Sequence, residues 1–340
     1  MQNPVLVEVT RGGRVESRHR GSVAVCDADG ANVLVIGDVD TPVFPRSAVK
    51  AFQALPLLES GAADKLGLEA AEIALACASH SGEPLHVETA LAMLRKAGRD
   101  AAALECGTHW PMGDKAARAL AANGGQPGPL HNNCSGKHAG FVCLACASGV
   151  DPAGYIGPDH FVQRETKAAL ETMCNVRLGP EVMGIDGCSI PAWAMPLRAM
   201  AHGFARFGTG QGLAPVRAAA AKKIRASVAA HPFMVAGTGR FDTDVMNVLG
   251  ARAFTKTGAE GVFCASFPQQ GLGVAIKMDD GAGRAAETVM AAVLARFVPL
   301  TESERGALAG RLAPGLVNWN GIEVGRIRAV VPGSAGFPAR

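Results

Sequence analysis

The chain has few aromatic residues and no strong charge of either sign. Aromatic side chains make up 5% of the 340 residues, with a single tyrosine, and 33 basic against 30 acidic residues leave a formal net charge of +3. Nucleic-acid binding normally requires a basic face and, for single strands, aromatic rings that stack on the bases. The composition therefore argues against a nucleic-acid partner.

The chain also lacks long apolar runs and a regular set of cysteines. No stretch is long and apolar enough to cross a membrane, and the opening MQNPVLVEVTRGGRVE alternates like a strand rather than forming a secretion signal. The nine cysteines are odd in number and irregularly spaced, which argues against a disulfide scaffold. We therefore expect a cytoplasmic protein with reduced thiols and no membrane partner.

Strand patterns lie near both ends of the chain, and helical patterns fill the middle. The strands and one late apolar helix are predicted, in chain order, at Val5–Val9, Val15–Cys26, Val33–Ile36, ARAFTKTG, GVFCASFP, GLGVAIKM, the helix Ala285–Phe297, and a last strand near Ile322–Val330. Sequentially close strands tend to pair, and chain ends often lie together. We predict one α/β (α+β) catalytic unit, 1–340. Strands from 1–46 and 250–335 form its mixed, largely antiparallel sheet, and the helical region 47–249 packs on that sheet.

Ser47 and Lys50 lie three residues apart in TPVFPRSAVKAFQALPLL, where a helix could begin. Residues at this spacing share a helix face, so the hydroxyl and the amine could meet as nucleophile and base. The same pattern also describes an N-terminal serine followed by a solvent-facing lysine. A serine gives its proton to a lysine only when the amine is neutral, which requires a desolvated or cation-rich site.

A second element, Lys256-Thr-Gly, lies on a predicted strand in FTKTGAEG. Ser-x-x-Lys at a helix start and Lys-Thr-Gly on a late strand are the outer motifs of serine β-lactamases and penicillin-binding proteins. The middle motif, Ser-Asp-Asn, is missing, but CASHSGEPLH provides Ser79 as a second hydroxyl. An alternative is that Ser79 or Ser81 caps the helix that follows Glu83.

Two further segments hold cysteines beside polar residues, LHNNCSGKHAGF and GIDGCSIPAWAMPL. Cys134 and Lys137 are three residues apart at a helix start, while Asp186 and Cys188 lie in a loop after a short strand. Two thiolates and one amine could form three legs of a tetrahedral zinc site, with water as the fourth. Buried structural cysteines would give the same pattern.

Taken together, the motifs FPRSAVKAFQALPL, CASHSGEPLH, NNCSGKHAGF, DGCSIPAWAMPL and TKTGAEGVF resemble the bacterial L-asparaginases of the rhizobial asparaginase II type. The resemblance covers most of the chain. It implies a serine β-lactamase-like fold, related to that of the glutaminases, and a homodimer. It also implies hydrolysis of L-asparagine to L-aspartate and ammonia.

The resemblance further implies roles for particular residues. They are two Ser-Lys pairs, Ser47 with Lys50 and Ser79 with Lys256; a zinc site at Cys134, Lys137 and Cys188; and substrate-binding residues His138 and Asp186. One departure is that relatives can carry a further cysteine near the site, whereas none occurs here between Cys188 and Cys264. Two alternatives remain at this point: a related serine amidohydrolase acting on glutamine or a cyclic amide, and a non-enzymatic zinc-binding protein.

Overall fold

The strands of the protein lie near both ends of the chain, as predicted. A computed structural model describes residues 2–330. In chain order the strands are β1 (Val5–Arg11), β2 (Arg14–Asp27), β3 (Asn32–Ile36), β4 (Met183–Ile185), β5 (Pro191–Trp193), β6 (Phe254–Thr257), β7 (Val262–Phe267), β8 (Leu272–Met278), β9 (Gly315–Val317) and β10 (Glu323–Ala329).

Helices fill most of the middle of the chain. They are α1 (Lys50–Gln53), α2 (Leu55–Glu59), α3 (Ala62–Lys65), α4 (Ala70–Ala76), α5 (Pro84–Lys96), α6 (Asp114–Ala122), α7 (Ser135–Ala147), α8 (Phe161–Cys174), α9 (Leu197–Thr209), α10 (Pro215–Ala230), α11 (Pro232–Ala236), α12 (Phe241–Leu249), α13 (Gly283–Phe297), α14 (Glu302–Ala307) and α15 (Ala309–Leu312). Short 3-10 turns lie at Arg46–Val49, Ala101–Ala103, Pro129–His131, Pro180–Val182, Gly250–Arg252 and Pro268–Gln270.

The chain divides into two compact units. Unit 1 consists of the described parts of Met1–Ala48, Met195–Thr209 and Thr255–Arg340. Unit 2 consists of Val49–Ala194 and Gly210–Phe254. That both act as one composite catalytic unit stays a prediction.

Unit 1 is built on a sheet with the order β6-β7-β8-β2-β1-β10-β9, in which β3 also pairs with β2. The long strand β2 joins its parts: its first half pairs with β1, and its second half pairs with β8 and β3, all antiparallel. Helix α9 packs on β2, β7 and β8, and α13 packs on β1, β7, β8 and β10. Gly273 in β8 allows the close approach of α9, because a Cβ atom there would overlap the backbone of Ala201 and Ala205.

Unit 2 surrounds helix α7, which is buried from Ser135 to Ala145. Helices α2, α3, α4, α5 and α8 pack against it. Gly136 and Gly140 lie one turn apart on α7 and face Leu75 and Ala76 of α4, so that the two helices approach closely. A helix that is enclosed on every side needs no polar face for water. The polar side chains that it does carry are buried, and each therefore requires a hydrogen-bond partner within the protein.

The structure confirms the largely antiparallel sheet made from both ends of the chain and the helical middle. The predicted strand in ARAFTKTG is shorter than expected, because a 3-10 turn, Gly250–Arg252, occupies its first part. The middle also contains the small hairpin β4–β5. In residues 2–330 no helix is long and apolar enough to span a bilayer.

Candidate active site

Ser47 lies in unit 1, in the 3-10 turn Arg46–Val49. Its side chain is largely buried, with 9% of the residue exposed. The preceding residue, Arg46, has a φ of 50°, in the left-handed region that residues with side chains rarely adopt. Strained backbone of this kind persists where the surrounding structure imposes it, and it is common at catalytic residues.

The Lys256-Thr-Gly element lies beside the Ser47 turn within unit 1. Lys256 is fully buried on β6, and its Nζ atom donates to the carbonyl of Thr257 at 2.8 Å. At Gly258 a Cβ atom would lie 3.0 Å from the Pro45 carbonyl and 3.2 Å from the Ala48 amide. The late strand and the serine turn are therefore packed together without room for a side chain.

Lys50 begins α1 in unit 2, directly after the Ser47 turn in the chain. Only 1% of the residue is exposed, so the alternative of a solvent-facing lysine is wrong. Its Nζ atom donates to the carbonyl of Ala78 at 2.6 Å and lies 3.1 Å from Sγ of Cys134. The helix begins at Lys50 with Val49 as its N-cap residue, so Ser47 does not cap it either.

Cys134 is fixed at the start of α7 by its neighbour Asn132. The Cys134 amide donates to the Asn132 side-chain oxygen at 2.8 Å, and the Asn132 amide group donates to the carbonyls of Cys106 and Gly107. Lys137 and His138 follow three and four residues later, which places them on the same face of the helix as Cys134. The sequence NNCSGKH thus directs a thiol, an amine and an imidazole to one side of α7.

Cys188 reaches the same cluster from the hairpin β4–β5. Its sulfur lies 3.0 Å from Nζ of Lys137. The connecting turn is tight: the Asp186 amide donates to the Ile190 carbonyl, and Ser189 has a φ of 75°. Asp186 lies in the same turn, and its negative charge acts on Lys137. This confirms the predicted loop after a short strand.

The charges in this buried cluster are coupled. A hydrogen bond from the Cys188 thiol, together with Lys50 and Lys137, holds the pKa of Cys134 well below its usual value. The same hydrogen bond, followed by burial, raises the pKa of Cys188. Burial lowers the pKa of Lys137, but the interactions with Cys188 and Cys134 outweigh burial and raise the pKa of this lysine. The shared proton of the two thiols is therefore favoured on Cys188 rather than on Cys134, and the charged form of Lys137 is favoured.

His138 is completely buried and neutral, because burial and then the charges of Lys137 and Lys50 hold its pKa well below the usual value. The hydroxyl of Tyr155 accepts from the Glu105 amide at 2.9 Å and lies 2.7 Å from Nδ1 of His138, so the hydroxyl hydrogen points to that nitrogen. The Nε2 atom then carries the ring hydrogen and has no partner among the described residues.

Ser79 lies in unit 2, in the loop between α4 and α5, and is buried. Its amide donates to the Val235 carbonyl at 2.9 Å, and its hydroxyl oxygen accepts from the side-chain amide of Asn133 at 3.0 Å. Helix α5 has Glu83 as its N-cap residue, and the Ser81 hydroxyl donates to the Ala236 carbonyl. The alternative that a serine caps α5 is therefore wrong.

The structure thus groups the predicted residues within each unit. In unit 2 it brings together Lys50, Cys134, Lys137 and Cys188, and in unit 1 it packs the Ser47 turn beside Gly258. The pairing of Ser79 with Lys256 stays a prediction, since the two residues belong to different units.

Two contacts of this site were not predicted. The approach of Lys50 to Cys134 joins residues 84 apart in the chain, which no local pattern reveals. For the hydrogen bond between His138 and Tyr155 the sequence offers one indication, which is that Tyr155 is its single tyrosine. In the structure this residue is fully buried. A buried tyrosine normally requires a partner for its hydroxyl.

The residues predicted to hold zinc fit that metal by their chemistry. Within residues 2–330 no three His, Cys, Asp or Glu side chains form a group suited to a metal ion, so a site here depends on Lys137 as the third donor. The thiols of Cys134 and Cys188 are hydrogen-bonded to each other, and Lys137 contacts one of them. Two sulfur atoms and one amine nitrogen suit zinc better than magnesium or calcium, once the lysine has lost its proton.

Gly136, between the site residues of α7, gives a test of how the helix is placed. We expect Gly136→Ala to lower the free energy of unfolding by about 2 kcal/mol, because its Cβ atom would overlap the Leu75 carbonyl. The matched control is Gly140→Ala, where the nearest atom outside the helix is 3.3 Å away and better helix propensity offsets the crowding. Urea unfolding of both variants checks this. Equal stability of the two would contradict the close packing of α7 on α4.

The family model of L-asparaginase II matches residues 7–329 of the chain. The chain belongs to the L-asparaginase II family and is an asparaginase-type amidohydrolase. No curated protein sequence matches it significantly.

Solved structures align with the chain at low identity. A β-lactamase from Mycobacterium bovis is 12% identical, with 82% of this chain and 95% of that chain covered and a TM-score of 0.33. Simvastatin synthase from Aspergillus terreus, in a mutant form, is 13% identical, with 75% and 86% covered and a TM-score of 0.37. At these TM-scores the alignments say nothing further about this chain.

Proposed function

We propose that the protein hydrolyses L-asparagine to L-aspartate and ammonia, with Ser47 as nucleophile and Lys50 as its base. Membership of the L-asparaginase II family supports the reaction. One observation carries the assignment of Ser47 and Lys50. Lys50 follows Ser47 by three residues, and its buried amine donates to the Ala78 carbonyl, while Ser47 itself lies in a strained turn. A surface lysine would need neither this burial nor this partner.

The chemistry follows the requirements of amide hydrolysis. Once Lys50 has lost its own proton, the Ser47 hydroxyl gives its proton to that amine and attacks the side-chain carbonyl carbon of asparagine, which forms a C–O bond and a tetrahedral oxyanion. Backbone amides near the nucleophile stabilise that charge. When the C–N bond breaks, the lysine returns the proton to the leaving ammonia. Water, deprotonated by the same lysine, then releases aspartate from the acyl-enzyme.

Ser79 and Lys256 form the second Ser-Lys pair of the proposal. Both side chains are buried, and each has the hydrogen-bond partner that a buried polar group requires, Asn133 for Ser79 and the Thr257 carbonyl for Lys256. A second lysine also adds positive charge, which favours the neutral form of a nearby amine.

We further propose that Cys134, Lys137 and Cys188 bind one zinc ion. When bound, zinc would supply a Lewis acid that anchors the free amino or carboxylate end of the substrate. Binding would displace the proton of Lys137, so that zinc affinity falls at low pH.

His138 and Asp186 would bind the ends of the substrate. The hydrogen on Nε2 of His138 suits a carboxylate oxygen, since the imidazole is neutral and the atom has no partner within the described chain. The carboxylate of Asp186 suits the substrate ammonium group. Polar groups fixed at both ends would favour asparagine over glutamine, because the extra methylene would pull one end away from its partner.

We propose that the enzyme works as a homodimer in the cytoplasm. The family resemblance supports the dimer. The nine cysteines are all free, and eight of them are buried, which suits a reducing compartment.

An amide panel tests the function. We expect purified protein to release ammonia from L-asparagine with a kcat/KM at least about 100-fold above that for L-glutamine, as fixed groups at both substrate ends require. Cyclic amides and D-asparagine serve as controls for ring opening and for stereochemistry. If the protein preferred glutamine or a cyclic amide, its function would be that of a related amidohydrolase rather than an asparaginase. Absence of ammonia from every amide, with zinc bound, would favour a non-enzymatic zinc protein.

A further inference from the structure

We propose that Asn133 is a positioning residue that orients the hydroxyl of Ser79, and that His109 in turn holds Asn133 in place. The inference rests on the proposed function, in which Ser79 belongs to the catalytic machinery. All three residues lie in unit 2. None of the motifs in the sequence assigns a role to either Asn133 or His109.

The contact between Asn133 and Ser79 has a direction. The Nδ2 group of Asn133 donates to the hydroxyl oxygen of Ser79 at 3.0 Å. Because an amide NH₂ group can only donate, the serine oxygen accepts and its own hydrogen must point elsewhere. A donor on the oxygen also stabilises the negative charge that develops when the serine loses its proton. The contact therefore directs the hydrogen of the Ser79 hydroxyl away from Asn133.

Asn133 is itself held at two further points. Its carbonyl accepts from the His80 amide at 3.1 Å, which ties it to the residue after Ser79. The backbone amide of Asn133 donates to Nε2 of His109 at 3.0 Å. The backbone amide of Ser79 donates to the Val235 carbonyl, so that hydrogen bonds fix the positions of both Asn133 and Ser79.

The tautomer of His109 follows from its second contact. Its Nδ1 atom lies 2.6 Å from the Trp110 carbonyl, which can only accept, so Nδ1 carries the hydrogen. Nε2 of the neutral ring is then the acceptor that the Asn133 amide requires. Trp110, His109, Asn133 and Ser79 form a chain of hydrogen bonds that ends at the serine hydroxyl.

The two possible orientations of the Asn133 side-chain amide predict different hydrogen bonds to Ser79. The Asn133 oxygen lies 3.3 Å from the same Nε2 atom of His109. If the amide were turned round, its oxygen would accept the proton of Ser79, and the serine would be held in an inactive orientation. Asn133→Asp separates the two cases, because aspartate retains an oxygen acceptor and removes the donor.

We expect Asn133→Ala and Asn133→Asp each to lower kcat for asparagine about tenfold, which is the effect of losing one hydrogen bond to the reacting group, with a smaller change in KM. The control Asn123→Asp, at an exposed helix end, should retain activity. In a Ser79→Ala background, Asn133→Ala should cause no further loss, because Asn133 acts through Ser79. If Asn133 had only a structural role, Asn133→Ala would lower the activity by the same factor in the wild-type and the Ser79→Ala backgrounds.

Two variants of His109 complete the test. His109→Ala should lose activity about as Asn133→Ala does, and His109→Gln should recover most of it, since the glutamine oxygen can replace Nε2 as acceptor. Full activity of Asn133→Ala while Ser79→Ala is inactive would overturn the positioning role, as would full activity of Asn133→Asp. Full activity of Ser79→Ala would instead overturn the part of the proposed function that includes Ser79.

Discussion

Ser47→Ala is expected to reduce ammonia release from asparagine by roughly 10⁴-fold while the fold stays intact, because the hydroxyl that attacks the amide is removed. Lys50→Met should cause a loss of similar size, since it removes the base and retains the length and apolar stem of a side chain that is 1% exposed. Residues that act as one unit do not give additive losses. The double variant should therefore be little worse than either single one.

The measurement is steady-state ammonia release, with circular dichroism as a check of the fold. Ser148→Ala and Lys115→Met are matched controls, because both residues are exposed and lie outside the proposed site. Mass spectrometry of wild-type protein mixed rapidly with asparagine would detect the acyl group on the peptide that contains residue 47. A well-folded Ser47→Ala protein with substantial activity would exclude this nucleophile.

Cys188→Ser and Cys134→Ser are expected to lose zinc, from about one atom per chain to nearly none, because each removes one of only two sulfur donors. The control is Cys143→Ser in the same buried helix as Cys134. Its sulfur donates to the Met93 carbonyl at 3.3 Å, a bond that a serine hydroxyl can replace. Elemental analysis of untagged protein gives the zinc content without any assay of activity. Equal zinc in all three variants would exclude the site.

The kinetics of Cys188→Ser separate two roles for the metal. If zinc anchors the substrate, KM for asparagine should rise by roughly 10- to 100-fold with a smaller fall in kcat. If the metal acted in the chemical step instead, the loss would fall on kcat. Wild-type KM in zinc-free Cys188→Ser would contradict a role in substrate binding.

The strands were predictable because a half-buried strand alternates in its side chains. The expected Val5–Val9 and Val33–Ile36 correspond to β1 (Val5–Arg11) and β3 (Asn32–Ile36), with errors only at the ends. Turn-forming residues, such as those of the segment DADGAN (27–32) between β2 and β3, indicate where one strand ends and the next begins. Local pattern and tertiary structure agree in this part of the chain.

The contacts of the site were less predictable, since they depend on residues far apart in sequence. The Ser81 hydroxyl finds its partner at Ala236, 155 residues away, rather than at the helix beside it. The burial of Lys50 depends likewise on Ala78 and Cys134. Packing of distant segments determines such partners, so residue spacing alone does not predict them.

The pairing of β1 with β10 has a consequence for how the protein is made. Glu8 and Arg328, an ion pair across these strands, are 320 residues apart in the chain. During translation the amino-terminal meander leaves the ribosome long before its partner strand has been synthesised. The two strands can therefore pair only after the residues between them have emerged, and contacts of such long range form slowly. Until then the edge of β1 is open to incorrect pairing with other chains.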